Sequence, residues 1–132
     1  MTDRMGRDKL FYLIIDSKIS DALKAIDTAT DMNFQDKNGY SYLHCAVQSK
    51  LLPVAKKLIE KGAYIDIKDK FGRTPLMIAL SSYNGKNGNR EMIDFLIHNG
   101  ASIYATANSG VSCLQLAKLK GVNLKHLTKP DK

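Results

Sequence analysis

Residues 36–46 read DKNGYSYLHCA, and residues 69–79 read DKFGRTPLMIA. An aspartate, a glycine, a hydroxyl residue, a leucine and an alanine each return at the same place in the second stretch. A fixed period of this length, about 33 residues, is typical of repeat architectures, in which each unit buries its apolar face against a neighbouring unit. The repeated phrase therefore predicts an array of stacked units.

The same pattern extends in both directions from this phrase. The interval 79–100 is longer than its counterpart 46–62, because five extra residues lie within 82–90. A third copy, GVSCLQLA at residues 110–117, follows its counterpart at 72–79 with the additional spacing that the insertion requires. A degenerate copy precedes the first one, with Leu10 matching Leu43, Leu13 matching Ala46, Ile26 matching Ile59 and Asn33 matching Asp66.

In period and phrase, residues 8–127 resemble the ankyrin-repeat family. The resemblance implies one all-α domain over 1–132, a solenoid of paired antiparallel helices joined by β-hairpin fingers, with about four units including two caps. The expected units are an N-terminal cap at 8–35, full repeats at 36–68 and 69–106, and a truncated C-terminal cap at 107–132. The last unit is expected to have only a short second helix, near Val122–Leu127.

Local residue choices support this helical reading. Ser41, Thr74 and Ser112 are placed to cap the first helix of their units, and Pro75 sits at a first helical position. Glycines follow the predicted second helices and stand in the predicted hairpin turns. The expected buried seam comprises Leu43, Ala46, Val54, Leu58 and Ile59 in one repeat, and Met92, Ile93, Phe95, Leu96 and Ile97 in the next.

Composition favours a globular chain in a reducing, cytoplasmic setting. No apolar stretch approaches the ~20 residues of a membrane span, and two cysteines do not make a disulfide framework. The net charge is +7, with +4 in residues 33–75 and +4 in residues 118–132. Sixteen of the 20 basic residues are Lys, which suits an acidic protein partner better than bidentate base recognition.

Residues that could carry chemistry favour structural readings. His44 fills the family's Thr-Pro-Leu-His slot, where the resemblance implies hydrogen bonds around the hairpin. His98 and His126 lack neighbours at metal-ligand spacing. Cys45 is expected in the core, and Cys113, in the proline slot, is expected to be more exposed. We predict no catalytic, metal-binding or cofactor-binding residue, and no enzyme activity.

A Gly-x-x-Gly turn at residues 85–88 has a counterpart in KH domains, where it clamps a nucleic-acid backbone. The strands of a KH domain are missing from the pattern, so a polar surface insertion is the favoured reading. Whether residues 83–89 or the Lys-rich C-terminus take part in binding stays open at this point.

Partner binding is expected along the concave groove, which the resemblance assigns to hairpin tips and the exposed side of first helices. Tyr40 and Phe71 provide aromatic side chains there. A positive stripe is expected from Lys37, Lys68, Lys70, Arg73 and Lys120. The predicted protein-binding residues are Lys37, Asn38, Tyr40, Gln48, Lys68, Lys70, Phe71, Arg73, Ser81, Ser82, Asn108, Val111 and Lys120.

These features predict a small stand-alone adaptor or inhibitor that binds the acidic surface of a protein stoichiometrically and is a monomer when free. This description fits immunity proteins that block a toxin or effector, and it fits equally effectors or regulators that hold a host or cellular protein. The abundance of Lys and Ile suggests a bacterial or viral chain. The alternative function is electrostatic nucleic-acid association through the Lys-rich groove and the tail at 118–132, and no association with a membrane is expected.

Overall fold

A computed structural model describes residues 2–85 and 89–124 of the chain. These residues form seven helices: α1 Lys9–Ile15, α2 Ile19–Thr28, α3 Tyr42–Gln48, α4 Leu52–Glu60, α5 Pro75–Ser81, α6 Asn89–His98 and α7 Cys113–Lys120. Helices pair within units as α1 with α2, α3 with α4, and α5 with α6. The first helices of successive units also pack on one another, so the predicted all-α solenoid is confirmed.

The first helices of the last three units begin directly after the hydroxyl residues that were predicted to cap them. The side chains of Ser41, Thr74 and Ser112 accept hydrogen bonds from backbone N–H groups one turn into α3, α5 and α7. Each such bond satisfies a donor that has no partner within the helix. Asp8 does the same for α1, and its second carboxylate oxygen accepts the hydroxyl of Tyr42. The first helices thus share one start signal, which recurs with the period of the array.

The core is a continuous apolar seam that runs through the first helices. Leu43, Ala46, Leu76 and Ala79 are almost fully buried, and Phe11 and Ile14 extend the seam into the first unit. Most predicted seam residues are buried, whereas Ile59 and Phe95 are only partly buried at its margin. Each lies next to a fully buried leucine of its helix, Leu58 or Leu96, and thus at the edge of the apolar face of that helix.

A hydrogen-bonded turn repeats four times at the hairpins. In each turn an N–H of the first residue pairs with the carbonyl four residues on, at Asp3–Arg7, Asp36–Tyr40, Asp69–Arg73 and Ala107–Val111. In the first three turns one aspartate oxygen also accepts two backbone N–H groups of its own turn. This side-chain bonding is the Asx-turn chemistry that favours aspartate at such positions. The repeated hairpin therefore begins at Asp3, ahead of the expected unit boundary at residue 8.

Backbone hydrogen bonds tie each hairpin tip to the next, and we call this series the tip ladder. Its three bonds run from the N–H of Lys37 to the carbonyl of Met5 (2.9 Å), from Lys70 to Asn38 (3.0 Å) and from Asn108 to Phe71 (2.9 Å). A second set lies at the opposite edge, where Asn33 and Asp66 side chains accept the N–H groups of Tyr64 and Ser102. The two sets fix the spacing of successive units at both edges of the array.

The five-residue insertion falls between α5 and α6 in the sequence. Its residues 86–88, which include most of the Gly-x-x-Gly turn, lie outside the described residues. So do residues 125–132, and with them His126, most of the Lys-rich tail and the end of the expected helix near Val122–Leu127. Val122 and Leu124 are described and are buried against the last unit.

The tip ladder leaves no room for a side chain at Gly39. A Cβ atom there would lie 2.6 Å from the Lys70 backbone nitrogen, and φ is +76°. Gly110 occupies the same hairpin position with φ +93°, but a Cβ would meet nothing within 4 Å. We therefore expect Gly110→Ala to cost about 1–2 kcal/mol of unfolding free energy for its backbone conformation alone. Gly39→Ala should cost about 1–3 kcal/mol more, because the clash is with backbone.

Urea unfolding of both variants beside the parent chain measures the two costs. Equal losses for Gly39→Ala and Gly110→Ala would contradict the close contact between hairpin tips.

Candidate functional site

Side chains at one equivalent position of successive hairpins form a column, in which a tyrosine stands between two arginines. Arg7, Tyr40, Arg73 and Val111 hold the same position in successive hairpins. The Nε atom of Arg7 donates to the Asp36 carboxylate at 3.1 Å, and Nε of Arg73 donates to Asp69 at 2.8 Å. Both carboxylates are fully buried. Each guanidinium is thus held at the hairpin by a charged bond that also neutralises the buried aspartate.

Arg7 is absent from the residues predicted from sequence. It lies one period before Tyr40, and Asp3, Gly6 and Asp8 precede Asp36, Gly39 and Ser41 by the same interval. Extending the period from residue 8 back to residue 3 would have found it. Helix α1 matches the later copies only weakly, so the match between the first hairpin turn and the later turns was not recognised.

Tyr40 does not project as an exposed tip residue. Its ring stacks on His44 with 4.8 Å between ring centroids, and its hydroxyl donates to the Gln48 side-chain oxygen at 2.6 Å. Burial raises the pKa of Tyr40 to about 12. The expected tip residue is therefore part of the groove wall, because its ring stacks on the imidazole of His44 and its hydroxyl is bonded to Gln48.

Phe71 is the exposed aromatic residue of the groove, with 53% of its surface accessible. The Lys70 ammonium lies 5.3 Å from its ring centroid and the Arg73 guanidinium carbon lies 5.2 Å away. Arg73 is also 6.0 Å from the centroid of Tyr40. These distances are within the range of cation–π attraction. Phe71, Lys70, Arg73 and Tyr40 thus form one cluster of alternating rings and cations.

Two adjoining depressions gather most of the predicted residues. The larger has a volume of about 450 Å³ and the smaller about 190 Å³. Together they include eight of the thirteen residues predicted from sequence. The larger is lined by Arg7, Asn38, Tyr40, Gln48, Lys70, Phe71 and Arg73, and the smaller by Tyr40, Gln48, Arg73, Ile78, Ser81 and Ser82.

The other five predicted residues lie outside these depressions. Lys37 and Lys68 are exposed and Val111 is half-buried. The Asn108 side chain donates to the carbonyl of Lys70 at 3.0 Å, so it supports the neighbouring hairpin. The Lys120 ammonium donates to the carbonyls of Ser81 and Tyr83 at the end of α5, where a cation is favoured.

The histidine and cysteines of the repeats are structural. His44 is buried; its Nδ1 accepts the N–H of Ser41 and its Nε2 faces the carbonyl of Arg73 at 2.8 Å. Burial lowers the pKa of His44. Cys45 is buried as expected, but the expectation of a more exposed Cys113 is wrong, because this side chain is fully buried at the start of α7. Burial raises the pKa of Cys45 to about 12 and that of Cys113 to about 11, which disfavours the reactive thiolate.

No group of three or more His, Cys, Asp or Glu side chains within 2–85 and 89–124 could hold a metal ion. Among the helices of the same ranges, none combines the length and apolar character that crossing a membrane requires.

Stacked helix pairs, a ladder of hairpin tips and a groove of polar and aromatic side chains define a helical-repeat solenoid. A family model for three copies of the ankyrin repeat matches residues 8–107, and the chain belongs to the ankyrin-repeat family. Ankyrin repeats generally mediate protein–protein interaction as non-catalytic modules.

Similar proteins are considerably longer than this chain. A putative palmitoyltransferase, ZDHHC13, of Danio rerio is 32% identical over 87% of this chain and 18% of its own length. The B-cell lymphoma 3 protein homolog of Mus musculus is 32% identical over 91% of this chain and 27% of its own. A putative ankyrin repeat protein of Rickettsia bellii is 34% identical over 77% of this chain and 55% of its own. The chain thus spans less than a third of the first two relatives and about half of the third.

Burial of neutral His44 predicts a loss of stability in acid. Because the pKa of His44 in the folded chain is below the ordinary value of 6.5, the unfolded chain binds a proton first. The contribution of His44 to stability is therefore fully present above about pH 6.5, and it is lost as the pH falls from there towards the lowered pKa. Melting temperatures measured from pH 7.5 to pH 5 should show this fall.

His44→Gln is the matched variant. At the equivalent position Gln115 accepts the N–H of Ser112 at 2.8 Å, so glutamine preserves the cap without a titrating ring. The variant should be less stable at pH 7.5, because the bond to the Arg73 carbonyl is lost, and its melting temperature should fall less in acid. A pH dependence unchanged from the parent chain would assign the acid effect to other groups.

Proposed function

We propose that this chain is a stoichiometric binder of the inhibitor or immunity type, which recognises an acidic protein surface through its groove. Its partner in this proposal is a toxin or effector protein. The chain acts in the cytoplasm and is a monomer when free. The proposal rests on Phe71, an exposed ring flanked by the cations of Lys70 and Arg73.

Such a cluster has the composition of an interface anchor. Aromatic residues and arginine are enriched at the energetic centres of protein interfaces, where surrounding contacts exclude water. The tip ladder supports Phe71 directly, since its carbonyl accepts the N–H of Asn108. The ring is therefore presented by fixed backbone, which reduces the ordering cost of binding.

Charge supports an acidic partner. Residues 33–75 carry a surplus of four positive charges, and no Asp or Glu side chain lines either described depression. Asp36 and Asp69 lie close by, but their carboxylates are buried and bonded to arginine. Complementary charge would raise the rate of association and restrict the choice of partner more than it raises affinity.

Removing the cluster tests the groove. The double variant Phe71→Ala, Arg73→Ala should weaken binding of a protein captured from the native lysate by about 2 kcal/mol or more, as hot-spot residues do. Asp69 keeps its two backbone hydrogen bonds in this variant but loses the bond to Arg73, so the amide signal of Lys70, bonded to the Asn38 carbonyl, is used to check that the hairpin persists. Isothermal calorimetry with the purified partner measures the loss.

A matched control makes the same chemical changes elsewhere. Tyr64 is an exposed aromatic residue outside the groove, and Arg90 is a half-buried arginine paired with Asp94. Tyr64→Ala, Arg90→Ala should bind like the parent chain. Equal affinity of the groove variant and this control would refute the groove assignment.

Salt and nuclease distinguish a protein partner from nucleic acid. A partner anchored on Phe71 should survive nuclease treatment and lose only modest affinity between about 50 and 200 mM salt. Nucleic acid held by many phosphate contacts would lose about 10³–10⁵-fold over that range. A slope of the latter size, with retention only in the absence of nuclease, would replace the proposal with the electrostatic alternative.

A further inference from the structure

Arg7 extends the cationic part of the groove to the first hairpin. It lines the larger depression together with Lys70 and Arg73, which belong to the third hairpin. The Asp36 and Asp69 carboxylates orient the two guanidinium groups through Nε. Each bond uses one of the five N–H donors of its arginine. Arg7 also interacts with the Tyr12 hydroxyl.

The depression is positive and partly apolar. Three cations, two amide side chains and the rings of Tyr40 and Phe71 line it. The Asp36 and Asp69 carboxylates offset part of the arginine charge, and three cations with two carboxylates leave a net charge of about +1 beside the depression. The planar guanidinium groups match a carboxylate, which can accept two parallel hydrogen bonds.

Size and shape favour a side chain of a partner over a free small molecule. The depression of about 450 Å³ is an open hollow between hairpins, whereas small ligands are usually held in sites that enclose most of their surface. Arg7, Tyr40 and Arg73 line this one depression, so a carboxylate side chain that enters it has a guanidinium group available as a partner. An apolar side chain next to it in the partner would cover the exposed face of Phe71.

We propose that this depression binds an acidic segment of the partner in which a carboxylate side chain stands beside an apolar one, and that Arg7 determines specificity for the carboxylate. This inference rests on the proposed function, which itself requires only the cluster around Phe71 and Arg73. Arg7 is predicted to contribute through the carboxylate, whereas Phe71 contributes through the neighbouring apolar group.

An NMR titration of the labelled full chain tests the site without the natural partner. The probe is the peptide acetyl-Glu-Glu-Phe-Glu-Glu-amide, and the control peptide has Gln in place of every Glu. The acidic peptide should shift the Nε–H signals of Arg7 and Arg73 and the backbone amide of Phe71. The control peptide should bind about tenfold more weakly, as the loss of a close ion pair predicts.

Arg7→Gln and Arg4→Gln form the matched pair of variants. Both remove one positive charge from the first hairpin, but Arg4 does not line the depression. Arg7→Gln should lower the affinity for the acidic peptide about tenfold, and Arg4→Gln should change this affinity less than twofold. The Lys37 amide, bonded to the carbonyl of Met5, reports whether the hairpin survives. If the hairpin loosens in Arg7→Gln, the shifts at Arg7 in the parent chain decide whether the acidic peptide binds at this residue.

Shifts that spare Arg7, or equal binding of the two peptides, would overturn the inference. The proposed function would still stand if the captured partner loses affinity for the Phe71, Arg73 double variant. Conversely, shifts at Arg7 with no effect of that double variant on the partner would refute the proposed function. Tighter binding of oligothymidine than of the acidic peptide at these residues would reject a carboxylate ligand.

Discussion

The backbone hydrogen bonds between hairpin tips are the constraint on which the groove depends. In each bond, the backbone N–H of the second residue of a turn donates to a backbone carbonyl of the preceding tip. The distances from nitrogen to oxygen are 2.9–3.0 Å. Because the turn is closed internally by its own hydrogen bonds, the ladder transmits position from one unit to the next. Side chains at equivalent positions therefore stand in columns, and the column through Tyr40 gives the site its alternation of ring and guanidinium.

The same constraint explains why aspartate and glycine recur so strictly. Asp36 satisfies two backbone donors with one oxygen and anchors Arg7 with the other. Gly39 faces the backbone of the following hairpin at a distance that excludes a side chain. The last hairpin has Ala107 at the aspartate position, where backbone bonds close the turn. The residues that recur are those whose backbone environment recurs.

Much of the fold could be predicted from sequence because its signals are local and periodic. Capping by Ser41, Thr74 and Ser112 depends on bonds within one helical turn, and the period placed each helix. The position of Phe71 at an exposed tip could also be read from register. The burial of Tyr40 and Cys113 could not be predicted from sequence, because it depends on stacking against His44 and on packing between units. Arg7 was missed because α1 diverges from the later first helices although its hairpin does not.

The insertion between α5 and α6 shows that chain length does not set the distance between units. The stretch of chain from the third hairpin to the fourth is longer than the stretches between earlier hairpins, yet the connecting bond stays at 2.9 Å. Lengthening a surface connection adds little closure entropy. Residues 84–89, beyond Ser82 of the groove and Tyr83, are therefore a suitable place to insert a reporter or another recognition loop while the groove keeps its geometry.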